Sequence, residues 1–271
     1  MIRKFIKSTI SKRKKLLIHL LIFLFKIRLL PKEFHKRALV ELNIKKHKKY
    51  FNNLKLTYNN QGFYFVDPMP DENYLKTYYE ETYWDNRQDI NYPVRNRDTQ
   101  HYEQLCKYYP DFNSSKKRIL NFGSGHGGIS FLLALKNHDI CNYDFKFPKK
   151  NFEKKWNNID DISDIDGKFD LIYSSHSLEH VQNIFDIIKK FWSISDDKTI
   201  FFFEVPNCSN EKYQKIHPPH TYYFTKKFFE SCFKKIDICK FYRGEEEVAN
   251  DNESNILRIF TKDRILLTNK N

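Results

Sequence analysis

Cysteine, glycine and acidic residues at one end of the chain are the things this sequence has little of. Its five cysteines stand at 106, 141, 208, 232 and 239, an odd number with no C-x-x-C pair. That pattern excludes a disulfide framework and a zinc-ribbon spacing, and a reducing, cytoplasmic location is expected. Gly and Ala are scarce beside Lys, Asn, Ile, Phe and Tyr, a bias of AT-rich coding sequence that also inflates the lysine count. A long apolar run is missing too. The stretch Leu16 to Leu30 is broken by His19, Lys26 and Arg28, and its uninterrupted part, Leu20 to Phe25, is far short of the roughly 20 apolar residues that cross a hydrocarbon layer of about 30 Å. No small-residue cleavage site precedes Pro31, so a signal peptide is not expected.

The shortage of acids is local. Residues 1–50 contain sixteen Lys or Arg and only Glu33 and Glu41, a net charge of +14, while the remaining 221 residues carry −1. The excess charge therefore belongs to an N-terminal arm and not to a groove across the protein, which disfavours a nucleic-acid partner. Two readings of residues 1–30 stay open. One is a basic amphipathic helix lying on an anionic membrane surface at the inner face. The other is a helix docked on the protein's own domain with its lysines in water.

A length of 271 residues suits one large α/β domain with appendages. Three zones are expected: the basic arm at 1–30, a helical cap or substrate region at 31–116, and a main domain at 117–271. In the second zone, Gly62 to Val66 reads as a strand stopped by Asp67-Pro68-Met69-Pro70. Asp71 reads as the N-cap of a helix through Tyr78, and a further helix runs from Arg97 to Tyr109. From Lys117 on, strands and helices alternate. Strands are expected at Arg118–Phe122, Asp139–Tyr143, Phe169–Tyr173, Thr199–Val205, Ile236–Phe241 and Ile256–Thr261. Helices are expected at Gly128–Leu135, Val181–Trp192 and Thr225–Phe233. The alternation predicts a doubly wound, mostly parallel sheet of the Rossmann-like kind.

The segment Ile119 to Gly128, Ile-Leu-Asn-Phe-Gly-Ser-Gly-His-Gly-Gly, turns a strand sharply into a helix. Glycine lets the backbone approach a ligand without a Cβ in the way, and the helix start offers free N–H groups. Gly123-x-Gly125-x-x-Gly128 satisfies the dinucleotide fingerprint, and Gly123-x-Gly125-x-Gly127 satisfies a methyltransferase version. Asp144 follows Gly123 by 21 residues at the end of the next strand, where a carboxylate can hold ribose hydroxyls. A nucleoside cofactor follows from this order of elements, but not which one.

Further on, Gly167-Lys-Phe-Asp-Leu-Ile-Tyr-Ser-Ser-His-Ser-Leu-Glu-His-Val resembles the "gkFDlI…LEHv" block of class I S-adenosylmethionine-dependent methyltransferases. Pro206-Asn207, Pro219-His220 and Phe224-Thr225 are similar to later motifs of the same group, which takes in ubiquinone-pathway and sugar O-methyltransferases. The resemblance covers about Ile119 to Thr261. It implies a seven-stranded sheet and S-adenosyl-L-methionine as cofactor. It places Gly123, Ser124, Gly125 and Gly127 beside the methionine part, Asp144 on the ribose, Phe145 along the adenine, Asp160 or Asp161 at the adenine amine, and Ser175 and His176 facing the sulfonium. The position before the glycines, usually acidic in the group, is Asn121 here. Asp67 through Tyr83 is similar to the lead-in of relatives that carry a zinc-binding segment, but no cysteine accompanies it and the zinc is not carried over.

Methyl transfer to a hydroxyl requires alignment with the S–CH3 axis and removal of a proton, for which histidine is suited near neutral pH. His176, His180, His217 and His220 follow the strands whose carboxyl ends carry the chemistry of open α/β sheets. His220, His180 and His176 are the candidates for base or acceptor contact. Their spacing matches no established ligand pattern, and no metal is expected. The expected acceptor is a small molecule or glycan, with surface-polysaccharide biosynthesis the leading context. A competing reading, an NAD-dependent nucleotide-sugar oxidoreductase or epimerase, needs a Tyr-x-x-x-Lys pair. Tyr222 with Lys226 is the nearest match. A non-catalytic membrane-associated relative is the third.

Overall fold

The computed structural model describes residues 43–79, 94–145 and 156–262. The basic arm at 1–30 and the first part of the cap region lie outside the described residues.

After a helical segment over residues 43–51, β1 (Lys55–Asn59) and β2 (Phe63–Asp67) form an antiparallel hairpin. Helix α1 (Glu72–Tyr78) starts where expected, because the Asp71 side chain accepts a hydrogen bond from the Tyr74 N–H at 2.7 Å. Helix α2 (Asn96–Tyr108) is stopped by Pro110, which opens a 3-10 turn. The alternating part then runs β3 (Arg118–Phe122), α3 (Gly128–Ala134), β4 (Asp139–Tyr143), β5 (Asn157–Ile159), β6 (Leu171–Ser175), α4 (Ile184–Ser193) and β7 (Ile200–Pro206). It closes with β8 (Tyr222–Phe224), α5 (Lys226–Cys232), β9 (Ile238–Arg243), β10 (Glu246–Val248) and β11 (Ile256–Thr261).

The main sheet has eight strands in the order β10-β9-β11-β7-β6-β3-β4-β5. Strands β3 to β7 are parallel to one another, whereas β11 pairs antiparallel with both β7 and β9. Strand β7 reads Ile-Phe-Phe-Phe-Glu-Val-Pro and is buried from Ile200 through Val205, as a strand covered on both faces must be. Helix α4 buries Ile184, Ile188 and Phe191, one stripe at helical spacing, against this sheet.

Several boundaries differ from expectation for local reasons. The sheet has eight strands and not seven, because β10 folds back on β9 through Gly244 at φ 64°. Strand β6 starts at Leu171 and not at Phe169. Phe169 N–H bonds to Ile194 O, and the Asp170 side chain accepts from Arg118 N–H, so both serve the approach to the ladder. Helix α4 starts at Ile184 and not at Val181, since Asn183 caps the Phe185 and Asp186 N–H groups. Tyr222 to Phe224 pairs with β2, so residues 55–67 share a three-stranded sheet with the later part of the chain. Thr225 seals the junction by donating its hydroxyl to Gly62 O at 2.7 Å.

Candidate active site

Strand β3 ends in a loop held tightly against β4. Gly123 N–H and Ser124 N–H both donate to Tyr143 O, at 2.8 and 2.9 Å, and Gly127 N–H returns to Ser124 O at 2.9 Å. Asp144, 9% exposed at the end of β4, accepts the Gly125 N–H on Oδ2 at 2.8 Å. The carboxylate therefore holds the crest of the loop as well as facing the cavity. Gly125 sits at φ 59°, and a Cβ built on it meets nothing within 4 Å, so the space above it is open to a ligand. Gly127 is placed differently from its neighbours in the loop. It does not line the cavity, and an added Cβ would lie 2.6 Å from Trp156, so its lack of a side chain lets Trp156 pack on the start of α3.

Asn121 is buried and its amide donates to Ser130 Oγ at 2.8 Å. Ser130 in turn donates to Asn142 at 2.6 Å, so the position links β3, α3 and β4. The cavity at the carboxyl ends of the strands holds about 850 Å³, in the upper part of the roughly 300–1,000 Å³ usual for small-molecule sites. Asn121, Gly123, Ser124, Gly125, Asp144, Phe145, Ser175 and His176 all line it. Asp161 does not. It is exposed and caps a 3-10 turn by accepting from Ser163 N–H and Oγ at 2.8 and 2.7 Å, while Ile162 and Ser163 supply the wall there. Asp160 is likewise absent from the wall. Tyr79, at the end of α1, stacks on Phe145 with ring centroids 5.6 Å apart. Arg95 and Arg97, around the start of α2, complete that side. Nothing in the local sequence marked these three residues, because long-range packing brings them here.

Another part of the cavity wall is ionisable. Glu204, buried in β7, receives hydrogen bonds from His101 Nε2 and Ser175 Oγ, both at 2.9 Å, and from the Arg258 Nε on β11. His176 Nε2 lies 3.3 Å from the same carboxylate. Burial alone would raise the Glu204 pKa, but His101 and His176 outweigh it and hold the carboxyl well below its usual range. His101 is pushed down by burial against the pull of Glu204. A neutral ring donating from Nε2 and accepting the Tyr173 hydroxyl on Nδ1 at 2.6 Å fits both its neighbours.

His176 sits at φ 52° just after β6 and touches Glu179 Oε1 through Nδ1 at 3.2 Å. Burial opposes its charge, yet hydrogen bonds to Glu179 and Glu204 raise it to about 9, a cation at neutral pH. Glu179 is raised by burial and lowered more by His180 and His176, to about 2. His220 is lowered to about 3 by burial and then by His180, and is neutral. The rings of His180 and His220 lie 4.8 Å apart edge to face, and both residues line the cavity, as His176 does. His217 is set back, 6.2 Å from the His220 ring, and does not line it. Tyr222 and Lys226 lie away from the cavity. The Tyr222 hydroxyl donates to Gln182 O at 2.9 Å and the Lys226 ammonium pairs with Glu230 at 2.7 Å, so the pair required by the oxidoreductase reading does not form.

A parallel sheet with an antiparallel strand inserted beyond its fifth parallel member, and a glycine loop and acid at its carboxyl edge, defines a Rossmann-like methyltransferase fold. The open space at Gly125 adjoins the Asp144 carboxylate in this cavity. Residues 94–238, just over half of the chain, match the methyltransferase-domain family, and the chain belongs to that family. It is an S-adenosylmethionine-dependent methyltransferase.

Among solved structures it is similar to 1,6-didemethyltoxoflavin-N1-methyltransferase of Burkholderia thailandensis with bound 1,6-didemethyltoxoflavin and S-adenosylhomocysteine. That likeness has a TM-score of 0.52 and 14% identity, covering 78% of this chain and all of that one. Magnesium protoporphyrin IX methyltransferase of Synechocystis PCC 6803 with bound SAH gives a TM-score of 0.49 and 14% identity, over 70% of this chain and 99% of that one. No curated protein matches the sequence.

Proposed function

We propose that the protein methylates an oxygen of a small or lipid-linked acceptor, with a sugar of surface-polysaccharide biosynthesis as the leading substrate class. The observation that carries this reading is one cavity lined both by the glycine loop with Asp144, which we read as its cofactor end, and by His176, His180 and His220, which we read as its acceptor end. The histidine-lined end suits an acceptor whose proton must leave as the methyl arrives. The cofactor supplies a methyl group made electrophilic by the sulfonium. The chain's task is to align the acceptor with it and exclude water, and such positioning can contribute several kcal/mol. Ser175 and His176, held to β7 through Glu204, line the same cavity. Similarity to the ubiquinone and sugar subgroup rests on the LEH and P-H motifs, here Leu178-Glu179-His180 and Pro219-His220.

Acceptors bearing hydroxyls, nucleotide sugars first, should yield S-adenosylhomocysteine in a coupled turnover assay, and amine analogues of the same acceptors should not. His220→Ala should lower kcat by on the order of 100-fold, the low end for a proton-handling group, while leaving cofactor affinity unchanged. Wild-type kcat in that variant would remove His220 from the acceptor end.

The basic arm motivates a place at a membrane surface. Residues 1–30 carry nine basic groups and no acid. Each cation near an anionic surface contributes about 1 kcal/mol, and buried Leu and Phe side chains add comparable amounts. Among the described residues no helix is long and apolar enough to cross a membrane. The full-length protein should therefore co-sediment with vesicles of anionic lipid, less so at raised salt, and a form lacking residues 1–30 should stay in the supernatant while still binding S-adenosylmethionine. Unfolding of the truncated protein would instead show a helix docked on the domain.

A further inference from the structure

The acceptor end of the cavity contains a set of side chains that the sequence pattern concealed. Glu179, His180 and His220 each offer a ligand atom, and these atoms lie within 4.8 Å of one another. Glu179 and His180 come from the 3-10 turn Leu178–His180 after β6, and His220 from the loop after β7. Two loops rarely hold side chains in register unless their backbones are joined, and here they are. Thr221 N–H donates to Glu179 O at 2.7 Å, and its hydroxyl donates to Glu179 O at 3.0 Å and to Val181 O at 2.6 Å. Leu178 below the turn is fully buried, which fixes the turn on the core.

The arrangement has an unmet requirement. Glu179 is 1% exposed, and its Oε2 has no hydrogen-bond partner although a buried acceptor left so costs roughly 1–3 kcal/mol. A cation at this point would satisfy it. Two imidazoles and one carboxylate are the donor set of open zinc sites and of related first-row metal sites, which keep further positions for a ligand.

We propose that Glu179, His180 and His220 form a binding site for one divalent first-row transition ion of the zinc class, its open positions facing the acceptor space. The ligand class such an ion takes there is an acceptor with oxygen donors. On the methyl-transfer reading above, such an ion would lower the pKa of an acceptor hydroxyl bound to it, and the released proton would pass to water. The site itself is read without turnover, so its failure would leave the methyl-transfer reading standing.

The test uses untagged full-length protein stripped with a chelator and titrated with Zn2+ against a chromophoric competitor, with Co2+ as a spectroscopic probe. One equivalent of Zn2+ should bind, and Co2+ should give the visible absorption of a low-coordinate site. His180→Ala and His220→Ala should each weaken Zn2+ binding by more than the roughly 10–100-fold that loss of an outer-shell partner causes. His217→Ala, which removes a neighbouring ring outside the set, should leave binding unchanged. Far-UV circular dichroism checks that each variant is folded, and His220→Asn replaces His220→Ala if the smaller side chain unfolds the loop. Failure of the wild type to bind Zn2+ would overturn the proposal, as would binding that survives loss of both histidines or falls equally in His217→Ala.

Discussion

Glu204→Ala should destabilise the fold by about 3–5 kcal/mol, because it leaves a buried charge without its partner. Arg258 is 1% exposed and stands directly across from Glu204 in the ladder between β11 and β7. Its guanidinium also lies over the Tyr242 ring at 3.9 Å, which holds it in place when the carboxylate is gone. Thermal or urea unfolding measures the loss. The charge pair and the apolar burial around it separate in a cycle with Arg258→Met. The double variant Glu204→Leu/Arg258→Met should recover much of the stability, since it removes both charges at once.

The pH dependence has a defined sign. The folded carboxyl lies well below its unfolded value, so its contribution is complete above the unfolded carboxyl range and is lost as pH falls toward the folded value. The stability gap between wild type and Glu204→Ala should therefore narrow below about pH 4. A gap under 1 kcal/mol at neutral pH would show that water already satisfies Arg258.

Asp144→Ala should weaken S-adenosylmethionine binding by about 1.5–3 kcal/mol, since hydrogen bonds to a charged partner are lost. That is roughly a 10- to 150-fold rise in Kd. Two contributions are combined in it, the proposed contact to the ribose and the tether from Oδ2 to the Gly125 N–H. Asp144→Asn separates them. Its amide oxygen still accepts from Gly125, so the loop keeps its shape and only the charged contact is lost. Isothermal titration on both variants should rank them wild type, Asn, Ala in falling affinity. Equal affinities in all three would remove Asp144 from the cofactor end.

Much of the parallel half of the sheet was legible, because its signals are local. Arg118 to Phe122 and Asp139 to Tyr143 are short apolar strands bounded by polar or glycine residues, and β3 and β4 occupy those residues. Four of the chain's seven glycines fall between 123 and 128, which in so glycine-poor a chain marks a turn that nothing else can make. The small strands β5 and β8 were not legible. Asn-Asn-Ile and Tyr-Tyr-Phe carry no period, and each becomes a strand only by pairing, the first with the preceding strand β4 and the second with the distant β2.

The site shows the same division. The order of elements pointed to the loop from Gly123 to Gly125 and to Asp144, and the fold brings them to one cavity wall. Gly127 could not be read that way, since the need for glycine there comes from Trp156 packing against it. Nor could Asp161, whose carboxylate is used by the turn it caps. The pairing of His180 with His220 depends on the hydrogen bonds from Thr221 to the turn after β6, a contact across forty residues that leaves no spacing rule in the sequence.

The choice of cofactor is the most direct point of attack. Purified full-length protein should be titrated calorimetrically with S-adenosylmethionine, S-adenosylhomocysteine and NADH under the same conditions, with the ligand that co-purifies identified by mass spectrometry. Saturable binding of the two sulfur compounds, lost or weakened in Asp144→Ala, with no heat from NADH, is the result this structure predicts. Saturable binding of NADH with none of S-adenosylmethionine or S-adenosylhomocysteine would contradict it.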